Sequence, residues 1–252
     1  MLLVLACGDV KPEWAYCDDG GLCSPAVEVL TVAQDPPLDP GADFWASADG
    51  PKKVVIELGP QLITNPQWPD PSVKRVTVSA AKNRSHIAVR LEWVDATVDR
   101  KFSSSNLYTD QVAVMFPLDV GDEVPLITMG EEGKPVNIWL WKAVLQAEMD
   151  SAASKPGSSA GGFPAGRSSS PVDDLNAEGF STLTAQEHKD VMGKGTRHEN
   201  GWRVVFKRVL NNADSGDIQF KSSTPMAIAV WNGDNRETNG QKGIAGWILM
   251  RF

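Results

Sequence analysis

From residue 54 onward, apolar residues recur with a period of two in short runs, and turn-forming residues separate the runs. A period of two belongs to an extended chain whose successive side chains point to opposite faces of a sheet; an amphipathic helix needs a period near 3.6. Within residues 86–94, Ile87, Val89, Leu91 and Trp93 fall on one face, and His86, Arg90 and Glu92 on the other. Residues 73–79 precede this run and predict a hairpin that turns through residues 81–84. Residues 54–58, 136–141, 202–206, 226–231 and 244–250 read as further strands, and the mostly apolar run 111–116 reads as a strand buried on both faces. The fold class this predicts is all-β: an antiparallel β-sandwich of about eight or more strands, with long loops and a few short helices, for which residues 146–154 and 185–192 are the candidates.

The remaining segments differ in kind. Residues 8–50 are rich in Pro, Asp and Gly without helical period and predict an extended arm. Residues 1–34 are set apart as a lipobox-like start plus arm, and residues 35–252 as one domain. Residues 151–171 are almost wholly Ser, Ala, Gly and Pro and predict a surface insertion within that domain. Leu3-Val4-Leu5-Ala6-Cys7-Gly8 is similar to the end of a lipoprotein signal, with Cys7 as the lipid anchor and an extracytoplasmic, periplasmic location as the consequence, although no basic region precedes it. Cys17 and Cys23 suit either a small disulfide loop or a pair of free thiols.

Composition narrows the chemistry. A formal net charge of -8 argues against nucleic acid as a partner. With three Cys, three His and no Cys-x-x-Cys-His, covalent c-type haem and a His-rich zinc site are excluded. No catalytic triad, metal triad or phosphate loop is present, so the chain is not expected to be an enzyme by itself. His86, His188 and His198 read as surface residues, with His188 and His198 as rival haem ligands. Asp18-Asp19 and Asp173-Asp174 lack convergent partners.

Two segments carry more information. In the first, Met129 sits in the loop Ile127-Thr128-Met129-Gly130-Glu131-Glu132-Gly133-Lys134-Pro135, ahead of the Trp-rich strand Val136-Asn137-Ile138-Trp139-Leu140-Trp141. A thioether is a soft ligand for haem iron or copper, and it also suits packing beneath a loop. In the second, a strand ends at Trp231, and the loop Asn232-Gly233-Asp234-Asn235-Arg236-Glu237-Thr238-Asn239-Gly240-Gln241 delivers Lys242. A loop lysine is ordinarily a solvated charge; as a metal ligand it must lose its proton.

These two segments resemble the haem b-binding gamma subunit of type II dimethyl-sulfoxide-reductase-family enzymes, such as ethylbenzene dehydrogenase, dimethylsulfide dehydrogenase, selenate reductase and chlorate reductase. So does the stretch from Val172-Asp173-Asp174-Leu175 through Gly193-Lys194-Gly195 to Gly201-Trp202-Arg203-Val204. The resemblance runs from about Asp35 to the C-terminus. The insertion at 151–171 and the truncated signal depart from the family pattern. The resemblance implies a β-sandwich with a non-covalent haem b wedged at one end, and Met129 and Lys242 as its axial iron ligands. Trp139, Trp141, Trp231 and Trp247 are the candidates to line the slot. Two protein ligands leave no open coordination position, so the chain would relay electrons. It implies a molybdopterin alpha subunit and an iron–sulfur beta subunit as partners, with a periplasmic c-type cytochrome or similar carrier outside the complex. The competing readings are a haem-free carbohydrate-binding sandwich and a free-standing b-type cytochrome lipoprotein.

Overall fold

The computed structural model describes residues 25–101, 108–119, 123–153, 170–221 and 223–252. The three cysteines, the lipobox-like start and all but the ends of the Ser/Gly-rich insertion lie outside them. Among the described residues twelve strands form two facing sheets. The first sheet runs β8 (Thr184–Ala185), β7 (Val172–Ala177), β6 (Val136–Lys142), β5 (Gln111–Pro117), β11 (Thr224–Trp231), β12 (Gly243–Arg251) and β1 (Ala26–Thr31). The second runs from β1 through β3 (Arg75–Lys82), β4 (His86–Val94) and β10 (Gly201–Val209) to β9 (Met192–His198), with β2 (Val54–Glu57) also paired to β3.

One strand belongs to both sheets. Ala26, Val27 and Glu28 pair with β12, and Val29, Leu30 and Thr31 pair with β3. Both pairings are parallel, so the sandwich is antiparallel except along β1. A parallel neighbour needs a long crossover, and residues 32–74 supply it. Part of the segment expected to be only an arm is thus a joining strand. The stretch after it crosses the outer face of the second sheet, where Trp45 packs with Ala81, Ala88 and Val205. Arg90 Nε donates to Pro40 O at 3.0 Å, and Lys207 pairs with Asp35, holding this stretch down.

The inner faces meet in an aromatic seam. Trp141 stands edge-on to Trp202 at 5.0 Å and to Trp93 at 6.3 Å, and Trp139 lies 6.3 Å from Phe206. Such pairs add about 0.5–1.5 kcal/mol each beyond simple burial. Their polar edges are matched: Trp139 Nε1 donates to Asn137 Oδ1, Trp202 Nε1 to Asp110 Oδ2 and Trp141 Nε1 to Gln146 Oε1. Gln146 lies on α1 (Ala143–Ala153), the one helix of its kind among the described residues. The second expected helix does not form. Thr184–Ala185 adds a short strand to β7, and Gln186 beyond it is tied to Asp174, Gly216 and Asp217 by its side-chain amide. A helix of so few residues has little stability without an apolar face to bury, and these side chains are drawn instead to polar partners at the sheet edge.

β9 was not legible as a strand. A Cβ placed on Gly195 would lie 2.2 Å from the Trp141 ring, so its glycine makes room for the seam. Gly195→Ala is therefore expected to cost about 1–3 kcal/mol through overpacking, read as a lower urea midpoint; an unchanged midpoint would show that the seam yields freely.

A charged cluster is buried beside the seam. Arg208, with no exposed surface, pairs with Asp217 at 3.0 Å and lies 5.6 Å over the Trp139 ring. Asp174 in β7 accepts from Asn137 and Gln186, yet burial pushes its carboxyl up to about 7. Its folded pKa lies above the ordinary carboxylate range near 4. The folded state therefore holds this proton more tightly, and the contribution is lost as pH climbs from about 4 through 7. Asp174→Asn should flatten the fall in urea midpoint between pH 5 and pH 8; an equally steep fall would show that Asp174 does not titrate in this window.

Candidate functional site

Every residue of β5 is buried, so the first sheet has two apolar faces. The inward face carries Val112, Val114 and Phe116, which join the main core. The outward face carries Ala113 and Met115, which form a second cluster with Ile138, Leu175, Ala227 and Trp231. Ala113 and Ala229 are cross-strand partners. Small side chains at this pair leave a flat floor. Ile127, Met129, Leu140 and Trp247 pack against it.

The Met129 loop is set by its backbone. Met129 and Gly130 both adopt the left-handed region, with φ of 71° and 83°. This conformation is uncommon for a residue with a side chain. The Gly130 amide donates to Leu126 O at 2.9 Å, and the Gly179 amide to Met129 O at 2.8 Å. A Cβ on Gly130 would stand 2.7 Å from Lys134 O, so glycine is required by space as well as by φ. These contacts lay Met129 against the apolar floor.

Trp247 reaches the same floor through a register break. Met226 pairs with Ile248 but Ile228 pairs with Ala245, so β12 carries an extra residue at Gly246–Trp247. The bulge lets Ala245 and Ile248 both face the core while Trp247 turns outward. Its Nε1 donates to Pro125 O at 2.9 Å and pins the start of the Met129 loop.

Lys242 comes from the β11–β12 loop. Its Nζ lies 4.9 Å from the centroid of the Trp231 ring. Burial pushes its ammonium down to about 8, with no carboxylate acting on it. Trp231 Nε1 donates to Asn239 O at 3.1 Å, which keeps the indole against the loop that carries the lysine. The hub of this loop is Glu237, a fully buried carboxylate. It accepts from Trp68 Nε1, the Ser72 and Asn232 amides and Asn235 Nδ2 at 2.9–3.0 Å. Gln61 Nε2 adds a bond to Gly240 O at 2.9 Å.

The structure thus brings Met129, Trp231, Trp247 and Lys242 to one outer face. It does not bring Trp139 and Trp141 there: both have no exposed surface and lie in the seam between the sheets. Strand alternation puts Ile138 and Leu140, not the two tryptophans, on the side of Met129. The histidines also lie elsewhere. His86 pairs with Asp35 on the second sheet, His188 with Asp214 and His198 with Glu199. Asp173 pairs with Lys142 and Lys189. Among the described residues Trp68 and Trp247 are part-exposed, and the other six tryptophans are buried.

The donor set fits an iron porphyrin. An apolar floor suits the macrocycle, the thioether is a soft axial donor, and a lysine held at about 8 gives up its proton far more readily than a solvated one. Glu237, Gln61 and the β12 bulge were not singled out from the sequence. Only the polar density of the 232–241 loop hinted at a buried carboxylate.

Comparison with known proteins adds an independent line. The sequence profile described as ethylbenzene dehydrogenase matches residues 42–243. A Haloferax mediterranei protein assigned as a respiratory nitrate reductase heme subunit, ORF7, is 28% identical over 223 residues, covering 88% of this chain and 70% of that one. The chlorate reductase subunit gamma of Ideonella dechloratans is 27% identical over 229 residues, covering 90% and 84%. Among solved structures, a family 9 carbohydrate binding module of Caldicellulosiruptor kristjanssonii in complex with glucose aligns with a TM-score of 0.42 at 9% identity, over 90% of this chain and 95% of that one.

Proposed function

The chain belongs to the ethylbenzene dehydrogenase family, and from that premise we propose that it is a haem-carrying electron-transfer subunit of an oxidoreductase complex, with Met129 and Lys242 as axial ligands of a non-covalent haem b. The observation that carries this reading is the convergence of one thioether and one poorly solvated amine on a single apolar face around Trp231. The names of the relatives, a heme subunit and a gamma subunit of two reductases, support it.

When bound, the haem supplies reversible one-electron exchange. The residues of the chain do the rest. The left-handed turn at Met129 and Gly130 fixes where the thioether points. The surroundings that push Lys242 down to about 8 lower the cost of losing the proton, which the amine must do before it can donate a lone pair. The Glu237 hub holds the lysine loop in one shape. On this reading Met129 and Lys242 would together hold the iron, which would leave the chain to relay electrons and not to bind substrate. Catalysis belongs on this reading to a molybdopterin alpha subunit reached through an iron–sulfur beta subunit. The outer partner is a periplasmic c-type cytochrome or similar carrier, and a lipid anchor at Cys7 would keep the chain at the membrane on the extracytoplasmic side.

The test is spectroscopic. Met129→Ala and Lys242→Ala are each expected to weaken haem retention by about tenfold or more, or to convert the low-spin spectrum and shift the potential. Trp139→Phe, on the opposite face, is expected to lower stability and leave the spectrum unchanged. If both ligand variants keep the parental spectrum and potential, the ligand assignment fails.

A further inference from the structure

Lys242 is gripped from outside its own loop. The last part of the crossover between β1 and β3, residues 59–72, runs beside the β11–β12 loop and holds it on both sides of the lysine. On one side, Gln61 Nε2 donates to Gly240 O at 2.9 Å. On the other, Gly59 and Ile244 exchange both backbone bonds, at 2.7 and 3.1 Å. Glu237 reaches from the lysine loop into the same segment, accepting from Trp68 Nε1 at 3.0 Å and from the Ser72 amide at 2.9 Å. The two chains run close. A Cβ on Gly240 would stand 3.0 Å from Thr64 Oγ1, and one on Gly243 would stand 3.0 Å from Val73 O.

Gln61 is buried, at 4% exposure, and both ends of its amide are engaged. Its Oε1 accepts from the Ile63 and Thr64 amides at 2.7 and 2.6 Å. Its Nε2 also faces Thr64 O at 3.1 Å and Pro66 O at 3.3 Å. The side chain thus winds its own loop around itself and turns a donor outward to Gly240. An acid at this position would aim an oxygen at three carbonyls instead. The consequence of the Gly240 bond is positional. A lysine stem is flexible, so the backbone that carries it decides where the amine stands. With Gly240 and Ile244 both fixed, residues 241–243 have little freedom left.

We propose that residues 59–72 form a clasp that places Lys242 for the haem iron, with Gln61 and Glu237 as its positioning residues. The proposal rests on the haem reading: neither residue is a ligand, and both act through Lys242. Groups that orient a metal ligand typically carry about ten- to a hundredfold in affinity for the metal. Loosening the clasp leaves Met129 where it is, because the Met129 loop is pinned separately, by bonds to Leu126 O, from the Gly179 amide and from Trp247 Nε1. The clasp also comes from far along the chain, since Gln61 and Gly240 are 179 positions apart. Lys242 is therefore placed only once the crossover has docked against the first sheet, whereas Met129 needs no part of the crossover.

Gln61→Glu and Glu237→Gln keep the side-chain volume and each reverse one polar atom. In the full-length protein without haem, both are expected to speed amide hydrogen exchange across residues 238–243 by about tenfold or more, while exchange around Met129 stays parental. In the haem-loaded protein, both should move the spectrum and potential toward those of Lys242→Ala and lower haem retention by about tenfold. Combined with Lys242→Ala, neither should add a further shift, because a group acting through the lysine has nothing left to move. Leu62→Ala, exposed on the same segment, should leave exchange and spectrum unchanged. If circular dichroism shows that Gln61→Glu or Glu237→Gln does not fold, Trp68→Phe removes a single donor from Glu237 and is read in the same way. Parental exchange in the folded variants overturns the clasp. Faster exchange with a parental spectrum overturns its role in placing the lysine, and so do additive shifts in the double variants. If Lys242→Ala itself keeps the parental spectrum, the haem reading fails and takes this proposal with it, whatever the exchange shows.

Discussion

A strand without a wet face has to be covered on both sides, and Gln111–Pro117 is such a strand. Much of the architecture answers to that demand. The inner face is covered by the second sheet, whose Trp93, Trp202 and Phe206 meet Trp139 and Trp141 across the seam. The outer face cannot be covered the same way, because no third sheet exists among the described residues. Loops cover it instead. One is pinned by left-handed turns around Met129, the other by the Glu237 hub below Lys242. On the proposed function, an apolar prosthetic group completes the cover. The same hydrophobic requirement that stacks the two sheets then also selects what binds outside them.

The sheet strands announce themselves in the sequence wherever one face carries polar side chains, as in β4, where Arg90 and Glu92 alternate with Ile87, Val89 and Leu91. Where both faces are dry, alternation loses its phase. In β6, Ile138, Trp139, Leu140 and Trp141 are apolar in succession, and nothing in that run says which pair faces the side of Met129. The tryptophans are the larger and were the natural choice for a cofactor slot, but they sit in the seam. Size favoured the interior, where the inter-sheet space needed filling. β9 is hidden for the opposite reason: Gly193 and Gly195 are there to clear Val172 and Trp141, and glycine carries no strand signal. Met129 and Lys242 stood out through the resemblance of their two segments to a known family; taken alone, a methionine beside glycine suits packing under a loop and a lysine after an Asn/Gly loop suits solvent. The Trp247 bulge was not, because an inserted residue can be seen only against the partner strand that it fails to match.

Polar burial follows a shared logic at three places. Glu237, Asp174 and Asp110 are all carboxylates with no exposed surface. Glu237 is fully engaged by donors from two loops. Asp174 is neighboured by Arg208 and the amides of Asn137 and Gln186. Asp110 has three donors but also an acidic neighbour in Asp95, and burial together with that charge pushes its carboxyl up to about 7. Around Glu237 and Asp110 loop geometry is thus held by buried acids that accept from main-chain amides, a device that suits glycine- and asparagine-rich loops with few apolar side chains of their own.

The joint membership of β1 in both sheets has a mechanical consequence. Tension applied along the chain ahead of Ala26 runs parallel to the strand and loads the ladders to β12 and β3 in shear at once. The bonds cannot open one after another as in a peeling hairpin; they must slip together. Any tether attached on that side would therefore pull on one of the stiffest grips the fold offers, and the force would spread into both halves of the molecule before it reached the loops around Met129 and Lys242.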